Sequence, residues 1–439
     1  MAIFQSITFK VFGIAFLALL MLIPLEQVQG LIGERNGMRN QAIATIAQRW
    51  GAAQRVGGPM LYIPRRVRVQ SEKGGIVIAD DGRDVVLPDR LEIHADLAPE
   101  VRHYGIYETP VYTSELKLSG EFLDSDFERL KGADFWLWDQ AELKIPIADV
   151  RGLRAASSIV FGGDELRLGP ANAALANLGA VAVPVKLVRK EGGKYAFAVT
   201  LTLAGTQDVS FLPLARSTTV ALQSSWPDPE FNGAFLPTSR NVDAKGFQAQ
   251  WSVLDFNRGY GQNWHEGSQN DVAIAQSAFG ANLYQPASVY TQNDRAGKYG
   301  ILFIALTFVA FFLFEILGKL RVHPVQYLLV GLALTTFYVV LLALSEQVGF
   351  SWAYLAAAGA VVALVGGYAV AVLRSWRAGI LLGSILALVY ALLYGLVVSE
   401  QYSLLMGSIA LLAVVGALMY LTRKVDWYAY AAARPLPAG

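Results

Sequence analysis

The sequence predicts a polytopic α-helical membrane protein with six spans, arranged one plus five, and a large mainly β domain inserted between spans 1 and 2. Three observations lead there. Of 439 residues, 54% are hydrophobic and only 16% charged, against about 25% charged in an ordinary soluble chain. Six stretches carry the roughly 20 apolar residues that a helix needs to cross about 30 Å of hydrocarbon. Between the first and second of them lies a long segment whose apolar residues alternate with period two, the mark of strands.

The first stretch runs from about Ile7 to Ile23, interrupted by Lys10, whose long stem reaches back towards headgroups. The others are Tyr299–Leu317, Val325–Leu344, Trp352–Leu373, Ala378–Val398 and Ser403–Leu421. A cleaved signal peptide is the alternative for the first. Ile23-Pro24-Leu25-Glu26 lacks the small-x-small cleavage pattern, which favours a retained anchor.

Orientation follows from lysine and arginine in the short loops. Lys319 and Arg321 follow the second span, Arg374 and Arg377 the fourth, and Arg423 and Lys424 the sixth. The alternate loops, around Ser345–Ser351 and Ser399–Tyr402, have neither residue type. Both termini are therefore expected in the cytoplasm, with the long segment outside. Tyr299, Tyr327, Trp352, Tyr354, Trp376, Tyr402, Trp427 and Tyr428 fall near span ends, where amphipathic rings are favoured. A soluble helix bundle would not alternate charged and uncharged loops in this way.

After the anchor, Leu31, Met38, Ile43, Ile46, Ala47 and Trp50 recur at three- and four-residue spacing, which predicts an amphipathic helix that stops at Gly51. It packs on the domain, or lies on lipid. Beyond Gly58-Pro59 the pattern is strand-like: Leu61–Ile63, Val67–Val69, then Ile76–Ile78 and Val85–Leu87, with Asp80-Asp81-Gly82 between them as a hairpin turn. Arg90–Leu97, Thr109–Leu118, Glu142–Pro146, Val181–Val188 and Tyr195–Leu203 follow, with Gly192-Gly193 as a second hairpin signal. Thr218–Leu222 and Phe247–Leu254 complete a sandwich or two stacked lobes, and turn-rich Ser158–Asn177 marks the candidate boundary.

The domain boundaries expected on this reading are an anchor at 1–25, an amphipathic connector at 26–57, a β domain at 58–297, a five-helix membrane domain at 298–422 and a cytoplasmic tail at 423–439.

Little in the chain suggests catalysis. There is no P-loop, no GxSxG elbow, no HExxH and no dinucleotide fingerprint. The four histidines, His94, His103, His265 and His323, are too scattered for a metal site, and the absence of cysteine excludes disulfides, cysteine–zinc sites and thiol nucleophiles. Asp80, Asp81 and Asp84 lack the rest of a calcium loop. No cofactor and no enzymatic activity are expected. A net charge of +1 gives no broad hold on nucleic acid. Among ionisable residues in the spans, Glu315 lies near the cytoplasmic end of its helix, within reach of the interface.

Four residues are candidate functional positions. Ser345-Glu346-Gln347 and Ser399-Glu400-Gln401 each end a span on the outer side, and each precedes another span, so the two helix pairs read as an internal duplication. Glu346 and Glu400 would then share a structural role, such as contact with the external domain. Trp226 sits in Ser225-Trp226-Pro227-Asp228-Pro229, a rigid loop that serves as a corner or a docking surface. His323 precedes Pro324 at the opening of the third span, where proline suits the first helical turn.

Several polar residues at fixed places carry a family resemblance. They include Ile106-Tyr107-Glu108-Thr109-Pro110-Val111-Tyr112-Thr113, Ser225–Pro229 with Phe235-Leu236-Pro237, Tyr284-Gln285-Pro286, and Lys298-Tyr299-Gly300. The most specific is His323-Pro324-Val325-Gln326-Tyr327-Leu328-Leu329-Val330-Gly331, followed by Leu344-Ser345-Glu346 and Leu421-Thr422-Arg423-Lys424-Val425-Asp426-Trp427-Tyr428. With these motifs the chain resembles the CreD family of bacterial inner-membrane cell-envelope integrity proteins over almost its whole length. Ala215 in Pro213-Leu214-Ala215-Arg216 departs from the expected glycine.

The resemblance implies an inner-membrane location, in which the loop charge pattern puts the β domain in the periplasm, and links to a two-component regulatory system, envelope stress, colicin tolerance and β-lactam responses. It carries over no catalytic or ligand residue. The expected partners are the lipid bilayer and an envelope component met by the periplasmic domain, with the oligomeric state open. A transporter or lipid-handling protein built on the repeated helix pairs is the alternative, and an enzyme of envelope metabolism the third reading.

Overall fold

The computed structural model describes residues 7–71, 75–171, 175, 178–285, 288–317, 322–399 and 402–423. It divides into a helical unit, Met1–Met38 with Ala287–Gly439, and a β unit, Arg39–Pro286.

The helical unit opens with α1 (Ile7–Leu20), followed after Met21 by α2 (Leu22–Trp50). Pro24 has no N–H to offer the Leu20 carbonyl, which explains the one-residue interruption. Hydrogen bonds from Met21 N to Leu17 O and from Leu25 N to Met21 O carry the helix across it. Met21, Leu25, Val28 and Ile32 form its buried stripe, and Ala42 and Ile46 are buried further on. The amphipathic face thus runs through Ile32 rather than Leu31, and Leu31 and Met38 are exposed. Gly51, at φ 141°, ends the helix in a conformation that disfavours side chains.

In the β unit the strands begin with β1 (Gln54–Gly57), β2 (Met60–Gln70), β3 (Ile76–Val86), β4 (Arg90–Tyr104) and β5 (Tyr107–Leu123). After α3 (Asp124–Phe127) come β6 (Phe135–Trp136), β7 (Ala141–Ile147), β8 (Leu153–Ala156), β9 (Ile159–Phe161), β10 (Asp164–Leu166) and β11 (Gly169–Ala171). The series continues with β12 (Gly179–Val185), β13 (Lys194–Thr206), β14 (Asp208–Leu212), β15 (Ser217–Ser224) and β16 (Pro229–Gly233). It closes with β17 (Ser239–Asp243), β18 (Gly246–Leu254), β19 (Asn263–His265), α4 (Asp271–Gln276) and β20 (Phe279–Leu283).

One sheet has the order β16-β20-β14-β1-β7-β2-β3-β19, with β6, β11 and β12 attached, and the other β10-β9-β13-β5-β4-β15-β18-β17, with β8 attached. Only β1–β14 and β4–β15 are parallel among these pairs. The second sheet alternates cleanly: Leu91, Ile93, Ala95 and Leu97 of β4 point inward, as do Phe247, Ala249, Trp251 and Val253 of β18. They meet Val56, Leu61, Ile63, Leu143, Ile145 and Phe211 of the first sheet in a single apolar cluster. The first sheet is also covered on its other face, where Met60, Tyr62, Val85 and Leu212 pack with Tyr260 and with Ile274 of α4. The unit is therefore a sandwich around one shared core with a small third layer.

Two expected hairpins are absent. Asp80-Asp81-Gly82 does not reverse the chain: β3 runs straight through it, and the pairing with β2 shifts register between Pro64 and Arg66. Gly82, at φ 73°, serves an irregularity in a continuous strand, a use of glycine that the sequence cannot separate from a turn. Gly192-Gly193 does not join neighbours either, because β12 pairs with β7 whereas β13 pairs with β5 in the other sheet. A tight turn does occur at Gly105, φ 64°, where β4 meets β5 beyond the Tyr104–Tyr107 pair.

The remaining helices are α5 (Val289–Lys298), α6 (Gly300–Leu317), α7 (Pro324–Val348), α8 (Phe350–Val372), α9 (Trp376–Val398) and α10 (Ser403–Thr422). Among the described residues five helices are long and apolar enough to cross a membrane, or six if α5 and α6, bent by 46° at Tyr299, count as one span. At the bend a Cβ on Gly300 would come within 2.8 Å of Leu25 and 3.2 Å of the Tyr338 hydroxyl, so glycine allows α2, α6 and α7 to approach closely. Among the described residues α10 has no buried side chain, whereas α7, α8 and α9 each have many.

Candidate functional site

Two polar clusters of the helical unit lie at the two ends of α7. At its start His323 takes the N-cap position: its Nδ1 accepts from the Val325 N–H at 3.3 Å, and Gln326 Oε1 accepts from the His323 N–H at 2.9 Å. With Pro324 at the first helical position this is a reciprocal cap. His323 has a structural task here.

Beside the cap lies a feature that the sequence did not reveal. Glu315 of α6 is buried, at 5% exposure. Its Oε1 accepts from Lys10 Nζ and, at 2.9 Å, from the Val322 N–H, and its Oε2 accepts from the Tyr327 hydroxyl at 3.0 Å. Lys10 also donates to the Val322 carbonyl at 3.2 Å. Lys10, its side chain 30% exposed, is therefore tied to both Glu315 and the chain at Val322. A buried carboxylate is tolerated when paired and hydrogen-bonded, and this one joins α1, α6 and the start of α7.

At the other end of α7, Ser345-Glu346-Gln347 forms the last helical turn rather than a loop. Glu346 Oε1 accepts from the Tyr290 hydroxyl of α5 at 3.0 Å and lies 3.9 Å from Arg35 Nε of α2. Asn293 Nδ2 donates to Ser345 Oγ at 2.9 Å. Glu346 thus ties α7 to α5 and α2 within the helical unit. Glu400 lies outside the described residues.

Trp226, partly buried, packs against the core of the β unit and donates from Nε1 to the Tyr284 carbonyl at 2.9 Å. The Tyr284 N–H donates to the Asp228 carbonyl at 3.1 Å, so the Ser225–Pro229 corner is stitched to the end of β20.

A cavity of about 560 Å3 opens between α8 and α9, lined by Trp352, Tyr354, Leu355, Ala358, Tyr390 and Tyr394, among others. The Tyr354 hydroxyl donates to the Tyr390 carbonyl at 2.7 Å, and the Tyr394 hydroxyl to Ser351 Oγ at 3.0 Å. Two of its three tyrosine hydroxyls are thus paired locally, and its wall is mainly apolar and aromatic. Glu346 and His323 are not among its lining residues: Glu346 ties α7 to α5 and α2, and His323 caps α7.

Several long apolar helices, with a large β unit inserted after the first of them, define a multi-pass membrane protein with a substantial extramembrane domain. A family model described as "Inner membrane protein CreD" matches residues 6–428. The inner membrane protein CreD of Escherichia coli (strain K12) is 35% identical over 417 residues, which cover 94% of this chain and 92% of that protein. The chain belongs to the CreD family of inner-membrane proteins.

Proposed function

We propose that this protein supports cell-envelope integrity and the stress response without catalysing a reaction, and that its β unit lies in the periplasm and binds or senses an envelope component. The insertion of a complete β sandwich, with its own shared core, between the first apolar helix and the rest carries this reading. Such a unit is a recognition platform held at the membrane. The lysines and arginines after the second, fourth and sixth apolar stretches support cytoplasmic termini. With α5 and α6 as one bent span, the count is six.

The test is photo-crosslinking in cells from the exposed β unit, at Ser239, with the captured species identified. Capture of a defined envelope component, together with envelope leakage on deletion of the gene, is the expected result. Neither leakage on deletion nor capture above background would overturn the reading.

A second reading, lipid handling, is favoured by the apolar cavity between α8 and α9. The same experiment performed from Gly359, where an added Cβ meets open space, distinguishes it by capture of lipid.

A further inference from the structure

A second cavity, of about 600 Å3, lies in the β unit where the outer face of the first sheet meets the segment leading into α4. Tyr62, Val85 and Trp264 stand side by side on that face, because Tyr62 pairs with Val85 and Val85 with Trp264 across β2, β3 and β19. Glu266, Ser268, Gln269 and Asp271 supply the rest of the polar lining.

Two independent observations mark this cavity as a place for a ligand. The first is Tyr62. Its side chain is 1% exposed and borders the cavity, and its hydroxyl, closed off from solvent, has no hydrogen-bond partner among the described residues. A buried hydroxyl left unpaired is costly and calls for an explanation. The second is charge. Neither Glu266 nor Asp271 has an ion-pair partner among the described residues, and no lysine or arginine lines the cavity. The cations nearby are already engaged: Arg83 Nη1 lies 2.9 Å and Lys144 Nζ 3.4 Å from Glu142 Oε2. Burial, reinforced by Glu266 and Asp271, pushes the Tyr62 hydroxyl well above its usual range, so it stays neutral and able to accept a hydrogen bond.

We propose that this cavity binds a primary ammonium group carried by an envelope ligand, with Glu266 and Asp271 as the counter-charge and with Tyr62 Oη, closed off in this structure, turning into the cavity as the neutral acceptor. An indole is the best aromatic partner for a cation, and Trp264 supplies one. An ammonium has three donors and no acceptor, which matches an orphaned oxygen flanked by two carboxylates. The cavity holds something the size of a monosaccharide or a dipeptide. This assignment rests on the reading of the β unit as a recognition domain, and gives that recognition a chemistry.

The test is calorimetric titration of the purified full-length protein with matched pairs: glucosamine against N-acetylglucosamine, and alanyl-lysine amide against its doubly acetylated form. Each pair differs at its amino groups. The expected result is saturable binding of at least one amine and loss of binding on its acetylation. The better amine identifies an amino sugar or a peptide amino group as the source. Glu266→Gln with Asp271→Asn should weaken that amine roughly tenfold or more. Tyr62→Phe removes only an unpaired hydroxyl, so it should weaken binding while leaving the melting temperature unchanged or higher. Equal affinity within each pair, no saturable binding of either amine, or unchanged affinity in both variants overturns the proposal. Amine binding without any envelope phenotype would leave the site standing and remove the proposed role of the domain.

Discussion

Glu315 and Lys10 are each an expensive residue to place among apolar helices, and each is made tolerable by the other. Glu315 is buried and keeps three donors, from Lys10, Val322 and Tyr327. Breaking a buried pair from one side leaves an uncompensated charge, at a cost of roughly 3 kcal/mol. Lys10→Met is therefore expected to lower the melting temperature of the purified protein in lipid or detergent. Adding Glu315→Gln should restore most of the loss, since a neutral amide still accepts from Tyr327. Equal destabilisation in the single and double variants would show that the two residues are not coupled. The sequence presented both residues but not the pairing, because they are separated by 305 positions and only the approach of α1 to α6 joins them. Tyr62 is the same lesson in the β unit. Its apolar neighbours in sequence mark it as a core residue, and nothing local tells that its hydroxyl is unpaired.

Helix ends were the most legible elements. Gly51 stops α2 where the periodicity ends, and His323-Pro324 opens α7 with a cap whose parts are contiguous in sequence. Loss of such a cap costs about 1 kcal/mol. His323→Ala should lower stability by that amount in thermal unfolding, whereas His323→Asn, which also caps, should stay close to the parent. A fall of equal size in both would place His323 in some other task. Strands were located well but joined wrongly. β2 and β13 contain the stretches their alternation predicts, and β3 and β12 fall short of theirs only at the end, at Val86 and Val185, yet the turn signals at Gly82 and Gly192 connect no hairpins. A glycine at positive φ fits a bulge, a crossing between sheets or a tight turn equally well, and the choice depends on which strand arrives to pair.

At the scale of the molecule, the proposed topology places the β unit and the α8–α9 connection on opposite sides of the membrane. The chain contains no cysteine, so single thiols report cleanly. Ser239→Cys in exposed β17 should react with a membrane-impermeant maleimide in spheroplasts. Trp376→Cys, exposed at the start of α9, should react only after permeabilisation. Labelling of both in intact spheroplasts would overturn the arrangement. Each variant keeps every lysine and arginine that sets the orientation.

The sequence by itself determined the membrane class, the positions of the apolar helices, the mainly β character of the inserted segment and the family. Those properties are written in local composition and periodicity, which act over one helix or one strand at a time. Tertiary structure alone decided that the β strands form two sheets over one core, that Lys10 meets Glu315, that Glu346 is held by Tyr290 and Arg35, and that Tyr62 borders an acidic cavity. Each of these depends on residues far apart in the chain, and their pairing is selected by the burial of apolar surface across the whole fold rather than by any neighbour in sequence.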